Sequence, residues 1–231
     1  MHKWKAIVIG VVMISAIAIL SVLLRTHLTV TRLEATIATL KWENSSLKEE
    51  LGHRDHWIEQ RMEEVTRLNK KISRMKARRI LREIWKRAKE YTLSPDLIMA
   101  VIRIESSFDP QAVSDKGALG LMQVMPQYHP LPEGWDPFSI ETNIAWGCAV
   151  LANYMRKTDD HRWAVRAYYA GEGGAQWEDA KEYLRKIERA FAQIQRNSGE
   201  PLYVRKNQPE RARDYNTIHF RSISFDPEGK R

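Results

Sequence analysis

The stretch that decides the fold reads IMAVIRIESSFDPQAVSDKGALGLMQVMP and covers residues 98–126. Its first part places apolar residues at helical spacing, which predicts a helix with one buried face. Ser94 and Pro95 stand just before it, in the order typical of an N-cap serine and a first-turn proline. The apolar stripe ends at Glu105, and a glycine-rich segment follows. The sequence therefore places one carboxylate between a packed helix and a tight turn.

Glu105 is the candidate catalytic residue of this stretch. A carboxyl group packed against apolar side chains has a raised pKa and can donate a proton as a general acid. A solvated glutamate at the end of a helix is the alternative, and Glu105 taken alone does not separate the two.

Outward from this stretch, the globular part of the chain is predicted to be all-helical. No segment alternates apolar and polar residues as a half-buried strand does. The predicted helices begin near residue 78 and at Pro95, and then cover residues 140–157, 161–169 and 176–195. We therefore expect one helical domain over residues 78–197. The polar, proline-containing residues 198–231 are expected to form an extended or disordered tail.

Residues 28–77 carry a heptad pattern that predicts a long helical stalk. The two core positions of the heptad hold Val30, Ile37, Asn44, Leu51, Ile58, Val65 and Ile72, and Leu33, Leu40, Leu47, Leu68 and Met75. Asn44 is the kind of polar core residue that fixes the register of a two-stranded coiled coil. The pattern therefore predicts a homodimer through the stalk. An amphipathic helix packed on the globular domain is the alternative.

The N-terminus has the features of a membrane anchor. Residues 6–24 are uncharged and almost wholly apolar, and as a helix they would span roughly 28 Å, close to the thickness of a bilayer core. Lys3 and Lys5 precede this run, and no small-residue cleavage site follows it. An uncleaved signal anchor is therefore favoured over a cleaved signal peptide, with residues 1–5 in the cytoplasm and the rest of the chain outside.

Composition excludes several other classes of protein. The formal net charge of +8 suggests an anionic or membrane-surface neighbour. No nucleic-acid-binding motif is present, so we expect no nucleic-acid partner. Cys148 is the single cysteine, which excludes an intrachain disulfide framework. No His/Cys cluster has the spacing of metal ligands, so no metal and no other cofactor is expected.

Three blocks in the globular part resemble the soluble lytic transglycosylase family, whose catalytic domain is goose-type-lysozyme-like. The first block is ESSFDP with the following AVS and GALGLMQVMP, the second is NIAWGCAVLANYM over residues 143–155, and the third is AYYAG over residues 167–171. The family motif of the third block is AYNAG, so Tyr169 stands where the family has asparagine. The blocks occur in the family's order over about half the chain, and this combination is far more specific than any one of them.

The resemblance implies an activity and a mechanism. Enzymes of this family cleave the link between N-acetylmuramic acid and N-acetylglucosamine in peptidoglycan without water. One glutamate, which corresponds to Glu105, acts first as acid and then as base, and the C6 hydroxyl of the sugar closes a 1,6-anhydro ring with help from the substrate's acetamido group. Most glycosidases need a second carboxylate. Asp109, Asp115 and Asp136 are available, but Asp109 and Asp136 in the FDP and WDP segments are more simply turn or cap residues.

The resemblance also implies substrate-binding residues. Ser114 matches a serine that can bond the acetamido group, and Met122 and Gln123 match residues lining the glycan groove. Tyr168 matches a tyrosine that can orient the catalytic carboxyl, and Tyr169 lies beside it. A turn serine and a core methionine are the alternatives for Ser114 and Met122.

Together these features predict an enzyme in the cell inner membrane, crossing it once, with its catalytic domain on the periplasmic side. A lysozyme-type hydrolase on the same fold and a non-catalytic glycan-binding scaffold of an envelope assembly are the alternatives. A local wall-opening role for a secretion, flagellar or phage machine is compatible with the enzyme.

Overall fold

The computed structural model describes residues 2–197, so the predicted tail lies outside the described residues. The helices of this part are α1 (His2–Leu68), α2 (Arg74–Tyr91), α3 (Pro95–Ser106), α4 (Ile140–Arg156), α5 (His161–Ala170) and α6 (Glu178–Asn197), with a 3-10 turn at Glu172–Gly174. Between His2 and Asn197 the chain forms no β-strand, only isolated bridges from Leu119 to Val113 and to Val124. The prediction of an all-helical protein with a long apolar N-terminal helix is confirmed.

The chain divides into two compact units between His53 and Arg54. In the first unit α1 exposes its apolar side chains, from Ile9 to Leu51. An 18-residue window of this helix has a mean hydropathy of 2.2, and among the described residues α1 is the one helix long and apolar enough to cross a membrane.

The end of α1 differs from the heptad prediction. The helix stops at Leu68, and Asn69 turns the chain by accepting a hydrogen bond on its Oδ1 from the Lys71 amide at 3.0 Å. Helix α2 then begins at Arg74, capped by Ser73, whose Oγ accepts a bond from the Lys76 amide at 3.2 Å. The heptad therefore does not continue as one helix through Ile72 and Met75.

The last turns of α1 belong to the second unit. Four apolar side chains of this segment are buried in the core of that unit, namely Trp57, Ile58, Met62 and Val65. Part of the predicted stalk therefore belongs to the globular unit, which begins at Arg54.

Buried charged groups tie this segment to both ends of α3. Arg61 pairs with Asp96 in the first turn of α3, with 2.8 Å between Nη2 and Oδ1. Glu64 pairs with Arg103 in the last turn, with 2.6 Å between Oε1 and Nη1. Helix α3, which carries Glu105, is therefore held at both ends by the end of α1.

Helix α4 lies in the centre of the second unit, packing against α2 and α5, while α6 packs against α3 and α5. The apolar run predicted for this helix is almost completely buried. Cys148 is buried within it, and burial raises the pKa of its thiol well above the usual range. This packing brings α3, α5 and α6 together around the Glu105 carboxyl.

Candidate active site

Glu105 lies in the last turn of α3, where the chain changes direction sharply. Two and three residues later, Ser107 and Phe108 adopt left-handed backbone conformations with φ of 50° and 64°. Phe108 is buried, and its carbonyl accepts a hydrogen bond from Asn69 Nδ2 at 3.0 Å. Such conformations are costly for residues other than glycine, so the packing around Phe108 must hold the turn in place.

A short hairpin after α3 forms one side of the site. The Gly120 amide donates to the Ala112 carbonyl at 2.8 Å, and Ser106 Oγ donates to the Leu121 carbonyl at 2.8 Å. Gly120 has φ of 71°, and a Cβ there would lie 2.3 Å from Asn143 Nδ2. Glycine is therefore required at this position by both the backbone conformation and the space.

Asn143 at the start of α4 fastens this hairpin to the core. Its Nδ2 donates to the carbonyls of Leu119 and Pro137 at 2.9 and 2.8 Å, and its Oδ1 accepts from the Met122 amide at 2.8 Å. The side chain is completely buried, and these three bonds satisfy it. The hairpin that follows Glu105 is thus held at a defined position by one amide side chain.

The Glu105 side chain is partly buried, and its carboxyl has one polar partner from a distant helix. Tyr183 of α6 donates its hydroxyl to Glu105 Oε1 at 2.6 Å. Burial raises the pKa of Glu105 from its ordinary 4.5 to about 7, and the Tyr183 bond acts in the opposite direction because it stabilises the carboxylate. Close to neutral pH the group can therefore hold a proton or release it.

Two tyrosines at the end of α5 surround this pair. Tyr168 donates its hydroxyl to the Met122 carbonyl at 2.7 Å, and burial followed by the nearby Glu105 charge raises its pKa well above 10. Tyr169 stacks on Tyr183, with 4.8 Å between ring centroids and 17° between the ring planes. The carboxyl thus lies in a cluster of aromatic side chains from α5 and α6.

Residues 83–191 match the family model of the transglycosylase SLT domain. The chain carries an SLT domain. The resemblance drawn from the three sequence blocks is confirmed by this match. The matched residues contain Glu105, the hairpin, Asn143 and the three tyrosines of the cluster.

Curated relatives agree with this family. Over 111 residues the chain is 32% identical to the transglycosylase of Enterobacteria phage PRD1, covering 48% of this chain and 42% of the phage protein. Over 122 residues it is 33% identical to the membrane-bound lytic murein transglycosylase C of Serratia proteamaculans (strain 568), covering 43% of this chain and 33% of the relative. The chain thus spans less than half the length of these relatives.

A solved structure also resembles this chain. It is the X-ray structure of an inactive mutant of the lytic transglycosylase Slt from Pseudomonas aeruginosa, with a TM-score of 0.44 and 23% sequence identity. The match covers 51% of this chain and 24% of the other.

Within the SLT domain, the predicted site residues have different surroundings. Ser114 Oγ accepts a bond from the Ala118 amide at 2.9 Å, so it stabilises the hairpin turn. Met122 is completely buried, with its Sδ 3.9 Å from Cys148 Sγ, so its side chain is part of the core rather than of a groove surface. Both arrangements match the structural alternatives considered for these residues.

Gln123 and Tyr169 lie nearer to what the family blocks imply, whereas Tyr168 does not bond the Glu105 carboxyl. Gln123 Nε2 donates to the carbonyls of Ala112 and Gly120 at 3.1 and 2.9 Å, which leaves its Oε1 as the available acceptor. Tyr168 contacts the Met122 carbonyl instead of the Glu105 carboxyl, while Tyr169 is partly exposed beside the cluster.

Tyr183 is the residue of the cluster that sequence reasoning did not place in the site. The helical pattern of α6 put it on the buried face together with Leu184 and Ile187, and nothing in that pattern separates a tyrosine that packs from one that binds a carboxylate. The one sequence feature that could have indicated its role is the hydroxyl group, because a tyrosine hydroxyl on a buried helix face needs a hydrogen-bond partner.

Two of the aspartates available as second carboxylates, Asp109 and Asp136, stabilise turns. Asp109 Oδ1 accepts a bond from the Gln111 amide at 3.0 Å, and Asp136 Oδ1 accepts one from the Phe138 amide at 2.9 Å. Within residues 2–197 the structure contains no group of three His, Cys, Asp or Glu side chains that could hold a metal ion.

Proposed function

We propose that this chain is a membrane-anchored peptidoglycan lytic transglycosylase. It cleaves the β-1,4 link between N-acetylmuramic acid and N-acetylglucosamine and leaves 1,6-anhydro-N-acetylmuramic acid ends. The observation that carries the proposal is the partly buried Glu105 carboxyl of an SLT domain, whose pKa burial raises to about 7 and which accepts a hydrogen bond from Tyr183.

Glu105 acts twice in the proposed reaction. In its protonated form it gives its proton to the glycosidic oxygen, and the bond from C1 of the muramic acid to that oxygen breaks. The acetamido group of the same sugar supports the electron-poor C1. The Glu105 carboxylate then takes the proton of the C6 hydroxyl as O6 bonds to C1, which restores the acid and consumes no water.

The turn roles of Asp109 and Asp136 support this reaction over hydrolysis by two carboxylates. An inverting hydrolase needs a second carboxylate to activate water, and a retaining one needs it as the nucleophile. Both aspartates already accept backbone hydrogen bonds. Mass spectrometry of the products separates the two reactions, because a transglycosylase releases anhydro-muropeptides and a hydrolase releases muropeptides with reducing ends.

The proposed substrate contacts use atoms that the fold leaves available. Ser114 accepts one backbone bond, so its hydroxyl proton can be donated to the acetamido carbonyl of the sugar. The Oε1 atom of Gln123 can accept from a sugar hydroxyl or amide. Tyr169 offers a partly exposed ring to a sugar face, while the Met122 side chain is buried and is assigned no contact.

We place the enzyme in the cell inner membrane, crossing it once through residues 6–24. Residues 1–5 lie in the cytoplasm in this proposal, and residues 28–53 form the stalk. The catalytic domain, which begins at Arg54 rather than at residue 78 because the end of α1 is part of its core, lies in the periplasm, where peptidoglycan is accessible. The exposed apolar surface of α1, and Lys3 and Lys5 ahead of residues 6–24, support this placement.

The cleavage rate is expected to fall as pH rises through about 7, because Glu105 must be protonated to act as the acid. The measurement is the initial rate of soluble muropeptide release from purified peptidoglycan between pH 5 and 9. A rate that stays constant or rises across neutral pH would contradict the role of Glu105 as the acid.

The same group makes stability depend on pH in a predictable direction. The pKa of the Glu105 carboxyl rises from 4.5 in the unfolded chain to about 7 in the folded protein. The folded state therefore binds this proton more tightly, and the resulting stabilisation is lost as pH rises through about 7. The free energy of unfolding should therefore fall by about 3 kcal/mol between pH 4.5 and pH 8 relative to Glu105→Gln, which has no such titration.

The stalk is proposed to form a parallel homodimer over residues 30–51. Its apolar core positions are exposed in the first unit, and a parallel, in-register pair would bring Asn44 opposite the Asn44 of the second copy. The same register pairs Glu43 with Lys48 of the second copy at the flanking positions, which favours it electrostatically.

Cysteine cross-linking of the full-length protein in detergent micelles tests this dimer. Asn44→Cys is expected to form a disulfide-linked dimer under mild oxidation, because equivalent core positions face each other in a parallel pair. Ser46→Cys, on the outer face of the same helix, is the control and should remain monomeric on a non-reducing gel. Monomeric Asn44→Cys protein would refute the dimer.

A further inference from the structure

Tyr169 is the point where the third sequence block departs from the family motif, and it occupies a specific place beside the acid. It lies one residue before the end of α5, and its ring stacks on the Tyr183 ring of α6. The Tyr169 side chain is 47% exposed, whereas Tyr183 is buried. Tyr169 therefore lies between solvent and the tyrosine that binds Glu105.

The position of the Tyr183 hydroxyl depends on where the ring is held by the χ1 angle of the side chain. The 2.6 Å bond from Tyr183 to Glu105 Oε1 requires this ring to stay in one orientation at the site. A neighbouring ring at 4.8 Å and 17° covers one face of Tyr183 and opposes a sideways movement of the whole ring about χ1, which would carry the hydroxyl away from Glu105. A side chain without a ring at position 169 would leave that face of Tyr183 open to solvent.

We propose that Tyr169 is a positioning residue, which acts on Glu105 by holding the ring of Tyr183 in the orientation that binds the carboxyl. The positioning role itself does not depend on the proposed function; only the expected effect of Tyr169 on the cleavage rate rests on it. An asparagine, which the family motif has here, lacks the ring needed for such a stack. The substitution would give this chain a support for its acid that the family motif does not encode.

The other ionisable groups around the carboxyl do not replace this support. From α5, the Tyr168 hydroxyl is directed to the Met122 carbonyl. On α3 itself, Arg103 is paired with Glu64 of α1 and also donates to Gln193 of α6. Within the part of the chain that the structure describes, no ion pair involves Glu105, so Tyr183 is its polar contact from α6.

The test is the titration of Glu105 in the full-length protein, which needs no turnover. Glutamate labelled with 13C at the carboxyl is followed by NMR in detergent micelles, and the Glu105 signal is assigned by its loss in Glu105→Gln. Loss of the Tyr183 bond removes a group that stabilises the carboxylate, so the pKa of Glu105 should rise. Tyr183→Phe measures the full size of that rise.

Tyr169→Leu is expected to raise the pKa of Glu105 by at least half of the rise seen in Tyr183→Phe. Tyr169→Phe keeps the ring and should titrate as the unchanged protein does. Trp177→Leu, which removes another exposed aromatic ring, is the control and should leave the titration unchanged, because the ring stacked on Tyr183 is that of Tyr169. An unchanged Glu105 pKa in Tyr169→Leu would overturn the proposal.

Kinetics separate positioning from sugar binding. Loss of positioning should lower kcat about tenfold in Tyr169→Leu with little change in KM, because the acid is misplaced in the transition state. A raised KM with unchanged kcat and unchanged titration would make Tyr169 a sugar contact only and would overturn the positioning role. Absence of turnover in the unchanged protein would refute the proposed function, and the titration would still decide the role of Tyr169.

Discussion

Glu105→Gln is expected to abolish the release of anhydro-muropeptides, with a fall in rate of about a thousandfold or more. Glutamine has nearly the shape of glutamate and can still accept the Tyr183 bond, but it cannot deliver a proton to the glycosidic oxygen. The measurement is mass spectrometry of the muropeptides released from purified peptidoglycan by the full-length protein in detergent micelles.

The control variant for this experiment is Glu178→Gln. Glu178 lies in the first turn of α6, where it is exposed and pairs with Lys181 and Arg185. This variant should release the same products as the unchanged protein. Reducing-end products from the unchanged protein would assign a hydrolase instead. Equal activity of Glu105→Gln would refute the catalytic role of this residue, and a folded but inactive unchanged protein would favour the glycan-binding scaffold.

Removal of residues 1–77 is expected to prevent folding of the catalytic domain, whereas removal of residues 1–53 should leave it folded. The first deletion removes four buried apolar side chains of α1 from the core of the second unit. Each contributes about 1.5–3 kcal/mol by burial, and their sum is comparable to the whole stability of a domain. It also leaves Asp96 and Arg103 of α3 without their partners Arg61 and Glu64.

Thermal unfolding followed by circular dichroism checks this expectation. The protein that starts at residue 54 should show one cooperative transition, and the protein that starts at residue 78 should show none. A cooperative transition of similar Tm in both would show that the end of α1 is dispensable, and would support a domain limited to residues 78–197.

A matched pair of point variants in the full-length protein tests the same packing without a deletion. Val65 and Met75 both occupy core positions of the predicted heptad, but Val65 is 0% exposed and Met75 is 83% exposed. Val65→Ala should therefore lower stability by about 2 kcal/mol, while Met75→Ala should have almost no effect. Equal effects would mean that both residues lie in a coiled-coil core.

Local sequence signals predicted the helices of the SLT domain well. Helix α3 begins at Pro95 behind Ser94, and α4 and α5 begin at Ile140 and His161, as their patterns indicated. The start of α5 is capped by Asp160, which accepts a bond from the Arg162 amide, and α3 starts at a first-turn proline. These signals, and the apolar period of each helix, can be identified over a few residues. The heptad pattern predicted a helix that continues to residue 77, but α1 ends at Leu68. The apolar spacing continues in the sequence across the turn at Asn69, so the pattern alone does not reveal that turn.

The sequence by itself determined the helical class, the long apolar N-terminal helix, the family and the carboxylate that carries the proposed chemistry. Only the tertiary structure decided which side chains meet that carboxylate. Tyr183 is 78 residues from Glu105 along the chain, and Asn143 fastens a hairpin more than 20 residues away from it. Helical periodicity indicates which face of α6 is buried but not what that face contacts. The partner of Glu105, the burial of Met122 and the docking of α1 onto α3 all follow from the packing of distant elements, which no local pattern encodes.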